Sequence, residues 1–182
     1  IQQYVAPQDG YNIYLTIDEV IQYIVERELD KAMAEFQTSG GTVIVMDPKT
    51  GGILALANRP DYDLNNFADY PQKNWRNRAI SDSFEPGSTF KIITTAAALE
   101  EGVVNENDIF VDPGHIMVSG ERINCWKYGG HGGQTFAEVV QNSCNPGFVQ
   151  VGMRLGKESF YNYIKAFGFG NRTSIKLPGE AT

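Results

Sequence analysis

The sequence lacks several features that would assign it to a common class of protein. No apolar run approaches the roughly 18 residues that a membrane-spanning helix requires, and no signal peptide, internal repeat or low-complexity tract is present. Lysine and arginine number 15 against 22 acidic residues, which gives a net charge of −7 without a basic cluster. This balance argues against nucleic acid as a partner. The remaining composition, 42% hydrophobic and 20% charged, is that of an ordinary globular domain.

One stretch combines a turn, a helix start and two reactive side chains. Apolar residues recur at helical spacing over 92–99, and Pro86-Gly87 favours a turn just before them. Ser88 is therefore predicted at or near a helix N-terminus, where free N–H groups and the helix dipole favour negative charge. Lys91 lies one turn later on the same face, and burial could make it a base for Ser88. The alternative is an N-cap serine beside a surface lysine, because S-x-x-K often occurs by chance.

The first part of the chain predicts a helix followed by a β-hairpin. A helical apolar stripe over 17–36 is interpreted as core packing, with Thr16 or Asp18 as its cap and Gly40-Gly41 at its end. Strands are predicted at 42–47 and 53–57, and a long polar loop at 58–80. The turn between the strands contains Lys49-Thr50-Gly51, which we interpret as a solvated turn without a catalytic role.

The second part predicts short strands and helices around a glycine-rich loop. Strand-like pieces occur within 103–118, and residues 125–133 are too rich in glycine for the interior of an element. Thr135 and Glu138 have the spacing of a capping box at the start of a helix. This helix leads to Ser143-Cys144-Asn145, and further helices are predicted at 148–155 and 159–167.

The run RAISDSFEPGSTFK, from Arg78 to Lys91, together with the S-x-N element at 143–145, resembles the transpeptidase domain of class B penicillin-binding proteins. The resemblance extends from YLTID at 14–18 to LPGE at 177–180. The closest subgroup is the sporulation-specific stage V protein D type. The resemblance implies an α+β fold, an antiparallel sheet packed with helices. It also implies that residues 1–182 form a partial domain ending before the family's K-T-G strand, with the later sheet strands missing.

The resemblance implies a serine D,D-transpeptidase that cross-links peptidoglycan stem peptides and is acylated by β-lactams. Ser88 would be the nucleophile, Lys91 the base for acylation, Ser143 a proton donor to the leaving amine, and Asn145 a hydrogen-bonding partner of the substrate. Ser143 and Asn145 are expected to face one cleft from an extended turn. Because one oxyanion-hole donor of the family follows the K-T-G strand, the activity of residues 1–182 alone is a separate question.

Two other functions compete with this one. A class D-like β-lactamase or β-lactam sensor also carries S-x-x-K, but such proteins typically have an apolar residue where Asn145 stands. A non-catalytic scaffolding module could retain the fold, although the intact motif residues argue against it. The resemblance further implies an extracytoplasmic location at the cell membrane through an N-terminal anchor absent from this sequence, and a membrane glycosyltransferase as partner.

Two cysteines that the family does not generally require accompany this site. Cys125, His131 and Cys144 form C-x₅-H-x₁₂-C, and their ligand types suit a structural Zn²⁺ completed by an aspartate, His115 or water. A disulfide between the cysteines fits an extracytoplasmic protein, and two free thiols are the third alternative. Of these we expect zinc, and we expect no cofactor for catalysis.

Overall fold

A computed structural model of the chain describes residues 8–173 and 175–181, which divide into two compact units. The first unit contains the described residues up to Ser83 together with Leu177–Ala181, and the second contains those from Phe84 to Lys176. Both units combine helices with antiparallel strand pairs, which confirms the predicted α+β class. Within the described ranges, no helix is both long enough and apolar enough to cross a membrane.

The first unit is built on helix α1 (Glu19–Phe36) and the hairpin of β1 (Gly41–Met46) and β2 (Ile53–Arg59). Asp18 caps α1 by accepting a hydrogen bond from the Ile21 N–H, as predicted. The segment at the start of α1 also covers the free edge of β2, since Gln22 exchanges hydrogen bonds with the backbone of Leu56 at 2.8 and 3.1 Å. This covering blunts an edge that could otherwise pair with another chain.

Two predictions for α1 differ from the structure. The helix ends at Phe36 and is capped by Gln37, which adopts a left-handed conformation with φ of +53°, so Gly41 is free to begin β1. The predicted core packing holds for only part of the apolar stripe, because Leu29 is buried and Val25 is half-buried, while Val20 and Phe36 are 66% and 70% exposed.

The turn between β1 and β2 is closed locally by Asp47. Its carboxylate accepts hydrogen bonds from the Lys49 N–H at 2.9 Å and the Thr50 hydroxyl at 2.7 Å, and Gly51 supplies a positive φ of +73°. Lys49, Thr50 and Gly51 are exposed. The prediction that this K-T-G forms a solvated turn is confirmed.

The connection after β2 is more ordered than predicted. It forms 3₁₀ helices at Leu64–Asp69 and Gln72–Trp75, and the short helix α2 at Arg78–Ser81. Asp63 and Asn77 cap the first and last of these through their side chains. These short elements are stabilised by local side-chain caps and not by an apolar face. They therefore lack the hydrophobic periodicity from which a helix is predicted.

The second unit carries eight elements after a 3₁₀ turn at Gly87–Phe90. They are α3 (Lys91–Glu100), β3 (Ile109–Asp112), β4 (His115–Val118), β5 (Glu121–Asn124), β6 (Gly132–Thr135), α4 (Phe136–Gln141), α5 (Asn145–Leu155) and α6 (Lys157–Ala166). β3 pairs with β6 and β4 with β5, both antiparallel. The predicted capping box of Thr135 and Glu138 at α4 is confirmed.

A small apolar core joins these elements. Phe110 and Phe136 are 1% and 2% exposed and lie with ring centroids 6.0 Å apart, while Val139 and Val151 are fully buried beside them. The core also includes Cys144, from the middle of the S-x-N element. The backbone that carries this motif is therefore fixed against the best-packed part of the unit.

Candidate active site

Ser88 lies in the 3₁₀ turn that leads directly into α3, as the sequence predicts. Gly87 precedes it with φ of +58°, a conformation that glycine adopts without steric cost. The Ser88 side chain is exposed, and its N–H belongs to the first turn of a helical segment, where N–H groups lack intrahelical acceptors. Ser88 thus supplies both a hydroxyl oxygen and a backbone N–H that can donate a hydrogen bond to a negatively charged oxygen.

Lys91 joins the two motifs. Its Nζ donates hydrogen bonds to Ser143 O at 2.7 Å, Ser143 Oγ at 3.0 Å and Asn145 Oδ1 at 2.6 Å. The ammonium also lies 5.1 Å from the centroid of the Phe148 ring. Burial of the side chain lowers the pKa of Lys91 below that of an ordinary lysine, so its neutral form becomes accessible at lower pH.

The neutral form of Lys91 has one lone pair, and its direction follows from its partners. The Ser143 carbonyl and Asn145 Oδ1 can only accept hydrogen bonds, so they take the two remaining N–H groups. The Ser143 hydroxyl can reverse and donate. The lone pair is therefore left for a hydroxyl, either that of Ser143 or one that approaches from the side of Ser88.

The S-x-N backbone is not the extended turn that the sequence predicted. α4 ends in a Schellman motif, in which the Cys144 N–H bonds Val139 O at 3.0 Å and the Ser143 N–H bonds Val140 O at 3.0 Å. Ser143 occupies the position of this motif that favours glycine, and it has φ of +48°. A side chain in that conformation costs on the order of 1–3 kcal/mol. The position of the Ser143 hydroxyl thus depends on a backbone conformation that is unfavourable for serine.

Asn145 is the first residue of α5, and its side chain is bonded by Asn124 as well as by Lys91. Its Nδ2 donates to Asn124 O at 3.1 Å, which turns Oδ1 toward Lys91. Cys144 caps α5, with its Sγ accepting from the Gly147 N–H at 3.4 Å. Ser143 and Asn145 consequently both reach Lys91, while Cys144 between them is buried in the core.

Three of the four motif residues, Ser88, Lys91 and Ser143, border one cavity of about 440 Å³, and Asn145 bonds Lys91 beside it. Ser88, Lys91 and Ser143 are among its polar lining residues, and Ile92, Val140 and Phe148 are among the side chains that form its apolar wall. A cavity with a few convergent polar groups on an apolar wall is the usual form of a small-ligand site. The four residues predicted to be catalytic are therefore gathered at one place in the second unit.

A second cluster lies behind the S-x-N turn. It brings together Asp112, Cys125, His131 and Cys144, whose donor atoms all lie within 4.8 Å of one another. Asp112 is the last residue of β3 and pairs with Gly132, so the pairing sets His131 beside it. Cys125 follows β5, with its N–H bonded to Gly114 O at 2.9 Å. The three predicted ligands are adjacent in the structure, and His115 is not a member of the cluster.

Asp112 is the fourth member of this cluster, and the sequence did not indicate which aspartate it would be. Its Oδ2 lies 2.9 Å from His131 Nδ1 and 3.2 Å from Cys144 Sγ, and Oδ1 accepts from the Gly114 N–H at 2.8 Å. Burial alone would raise the pKa of Asp112, but the hydrogen bonds from Cys125, His131, Gly114 and Cys144 hold it well below the usual range. Its position at the end of a predicted strand, before Pro-Gly, was the available signal.

Burial is the main cause of the raised pKa values of the two thiols. It raises the pKa of Cys144 to about 11, with the hydrogen bond to Asp112 acting in the same direction. Burial and then the neighbouring carboxylate likewise raise the pKa of Cys125. Both cysteines are free in the structure. The cluster thus combines a carboxylate whose pKa is lowered with two thiols whose pKa values are raised.

The second unit brings a serine, a lysine and an S-x-N element together at one site, and the family follows from comparison with known proteins. The family model described as the penicillin binding protein transpeptidase domain matches residues 41–182. The chain belongs to this family, which confirms the predicted resemblance.

Individual relatives agree with the family. The chain is 53% identical to stage V sporulation protein D of Bacillus subtilis over 98% of its own length and 28% of that protein. It is 35% identical to the peptidoglycan D,D-transpeptidase FtsI of Escherichia coli K12, over 95% of the chain and 29% of the relative. The crystal structure of penicillin binding protein 3 of Mycobacterium tuberculosis complexed with aztreonam superposes with a TM-score of 0.80 at 32% identity. That match covers 92% of this chain and 38% of the crystallised one. The chain therefore spans less than a third of the two curated relatives.

Proposed function

We propose that the protein is a serine D,D-transpeptidase that cross-links peptidoglycan stem peptides and is acylated by β-lactams. The observation that carries this proposal is the set of three hydrogen bonds from Lys91 Nζ to the S-x-N element, beside the cavity that Ser88 borders. They join the proposed base to the proposed proton donor, and Ser88, the proposed nucleophile, lines the same cavity. This arrangement of nucleophile, base and orienting group is what activation of a serine requires.

Acylation begins when the lone pair of neutral Lys91 takes the proton of the Ser88 hydroxyl. Ser88 Oγ bonds to the carbonyl carbon of the penultimate D-alanine, and the Ser88 N–H stabilises the developing oxyanion. As the C–N bond to the terminal D-alanine breaks, the Ser143 hydroxyl protonates the leaving amine and is reprotonated by Lys91. Asn145 donates or accepts hydrogen bonds at the peptide group of the donor strand. The products of this half-reaction are free D-alanine and a Ser88 ester.

Transfer reverses the proton movements. The amine of a second stem peptide attacks the ester carbonyl and loses a proton to the site. A new amide bond forms, and Ser88 Oγ takes a proton back. A β-lactam presents a strained amide in place of the D-Ala-D-Ala bond, and its amine stays tethered after ring opening. The acyl-enzyme then persists because the leaving group continues to occupy the path of the acceptor.

The setting of the reaction is proposed from the family. The stage V relative points to a role in sporulation, at the extracytoplasmic face of the membrane. A membrane glycosyltransferase that supplies uncross-linked glycan strands is the proposed partner, because transpeptidation consumes the stem peptides of newly polymerised strands.

The function is tested by D-alanine release from a peptide ending in D-Ala-D-Ala, with and without an added acceptor amine. We expect the protein expressed from its complete gene to release D-alanine and to form the amide with the acceptor. Ser88→Ala should abolish both, while Ser83→Ala, which removes an exposed hydroxyl nearby in sequence, should leave both unchanged.

Two outcomes would contradict the proposal. Rapid turnover of penicillin without transfer to the acceptor would instead establish a β-lactamase. Failure to form any acyl product, with peptide or with penicillin, would favour a non-catalytic scaffold.

A glycine substitution separates the role of the Ser143 hydroxyl from that of its backbone. Ser143→Gly removes the hydroxyl and also relieves the left-handed conformation, which favours glycine. We expect the penicillin acylation rate to fall by about 10²-fold or more, as for loss of a general acid–base group, while thermal stability is unchanged or higher.

Ser119→Gly is the matched control for this prediction. Ser119 also has a positive φ, of +49°, but lies in the turn between β4 and β5. Its replacement should raise or maintain stability and leave acylation unchanged. If Ser143→Gly is acylated as fast as the wild type, the Ser143 hydroxyl does not take part in acylation.

A further inference from the structure

The hairpin of β4 and β5 has one exposed face that carries a positive charge and no acidic side chain. Its register pairs His115 with Asn124 and Met117 with Arg122, and the side chains of directly paired residues project on the same face. Three of these four residues are exposed, and His115 is half-buried. We call the four residues the hairpin face. Glu121, the acidic residue of the hairpin, belongs to the opposite face, because successive side chains of a strand alternate.

The hairpin face is attached to the active site through Asn145. The Asn124 carbonyl accepts a hydrogen bond from Asn145 Nδ2 at 3.1 Å, and Asn145 Oδ1 accepts one from Lys91 Nζ at 2.6 Å. Arg122 Nε donates to Asn124 Oδ1 at 3.0 Å. Helix α5, which begins at Asn145, also contacts both strands of the hairpin. Asn124 is therefore the one residue that lies between the Arg122 guanidinium and the Asn145 side chain.

The charge of Arg122 is left for a ligand. In the part of the chain that the structure describes, Arg122 bonds Asn124 and forms no ion pair, although acidic residues outnumber basic ones by 22 to 15. Arg154, in the same unit, pairs with Asp108 at 3.4 Å. The bond to Asn124 uses Nε, so the N–H groups of both Nη atoms remain available. A guanidinium with two free Nη groups can bind a carboxylate through two parallel hydrogen bonds.

We propose that the hairpin face binds a free side-chain carboxylate on the residue before D-Ala-D-Ala in the donor stem peptide. This rests on the proposed function, which puts the donor strand against Asn145 and the leaving amine against Ser143. Because the hairpin face is attached to Asn145, it lies on the donor side of the bond that is cut. Arg122 is the main partner of the carboxylate. The bond from Arg122 makes Asn124 Oδ1 an acceptor, so the Asn124 amide nitrogen can donate to the same ligand.

The hairpin face determines which stem peptides are used and takes no part in the bond-making steps. The carboxylate is remote from the scissile bond and keeps its charge during the reaction. Its interaction with Arg122 therefore stabilises the bound substrate and the transition state equally. The selectivity then appears in KM and not in kcat. It also weakens with rising ionic strength, because salt screens exposed charge pairs.

The test compares two peptides that differ in one charge. Both end in D-Ala-D-Ala, and the residue before it is 2-aminopimelate with its side-chain carboxylate either free or converted to the carboxamide. For the protein expressed from its complete gene, we expect kcat/KM for the free acid to be about 3- to 10-fold higher, as for an exposed but bidentate charge pair. The difference should lie in KM and should shrink at high salt.

Substitutions of Arg122 show whether its charge is the cause. Arg122→Gln should bring the ratio of the two kcat/KM values to about one, and Arg122→Glu should invert it. Arg122→Lys keeps the charge without the planar fork, so it should retain part of the preference. Arg172→Gln is the matched control, because Arg172 is an exposed arginine after α6 and outside the hairpin face. It should keep the full preference.

Ser88→Ala separates this inference from the proposed function. It cannot be acylated, so the Kd values of the two peptides measure recognition without turnover, and we expect the same ratio. If the wild type forms no acyl product, the proposed function fails while this Kd ratio still decides the inference. Equal Kd values for the two peptides in Ser88→Ala, or equal kcat/KM values in the wild type, would overturn the proposal. So would a loss of benzylpenicillin acylation in Arg122→Gln as large as the loss with the free acid, because the acyl side chain of benzylpenicillin is uncharged.

Discussion

Lys91→Ala should reduce the rate of penicillin acylation by about 10³-fold, within the range expected for loss of a general base. Two losses combine in this variant. The lone pair that takes the Ser88 proton disappears, and so do the three hydrogen bonds that orient Ser143 and Asn145. The measurement is the rate of adduct formation by intact mass spectrometry, with the fold checked by circular dichroism.

Lys49→Ala is the matched control, because the first K-T-G of the sequence contains the other lysine that could be taken for a catalytic one. Lys49 is exposed in a turn that Asp47 closes through the backbone N–H of Lys49 and the hydroxyl of Thr50, so its side chain is not needed for the turn. Its loss should leave acylation within twofold of wild type. The reverse order of effects would show that the wrong lysine has been assigned to the site.

Gly147→Ala should be strongly destabilising, by about 1–3 kcal/mol. A Cβ at this position would lie 2.7 Å and 2.9 Å from the two Cγ atoms of Val139, which is fully buried in the core. Since Val139 cannot move into free space, the first turn of α5 would have to shift away from α4. That turn carries Asn145, so acylation should slow as well. The free energy of unfolding from chemical denaturation is the measurement.

Gly152→Ala, in the same helix, provides the control. A Cβ there meets nothing within 4 Å, and alanine is the better helix former by up to about 1 kcal/mol. This variant should be more stable than wild type. Two substitutions of one kind in one helix should thus have opposite signs, and equal effects would mean that α4 and α5 do not pack as described.

The sequence predicted the parts of the site that depend on local patterns. Ser88 and Lys91 are fixed by a turn and a helix start, both of which have signals in consecutive residues. The capping box at Thr135 fixes α4 in the same way, and α4 in turn fixes where Ser143 lies. These features require no knowledge of which elements are neighbours.

What the sequence could not predict depends on pairing between distant residues. Asp112 is one of 22 acidic residues, and only the pairing of β3 with Gly132 sets it beside His131. The strand β6 (Gly132–Thr135) begins with two glycines, and only its last residue, Thr135, favours a strand. The left-handed Ser143 is contrary to its own local preference, because a non-glycine residue occupies the glycine position of a Schellman motif.

The exposed stripe of α1 illustrates the limit of periodicity. The spacing of its apolar residues identifies a helix correctly, with Asp18 as the cap. It does not determine how much of that face is covered, since this depends on which other elements pack against the helix. A hydrophobic pattern therefore predicted the element and its start more reliably than its burial.

The central claim is that Ser88 is the residue that becomes acylated. The most direct measurement is peptide mapping of the protein expressed from its complete gene after reaction with penicillin. We expect one adduct per chain, on the peptide that contains Ser88, and none in Ser88→Ala. An adduct on another residue, or one that persists at full stoichiometry in Ser88→Ala, would contradict the assignment of the nucleophile.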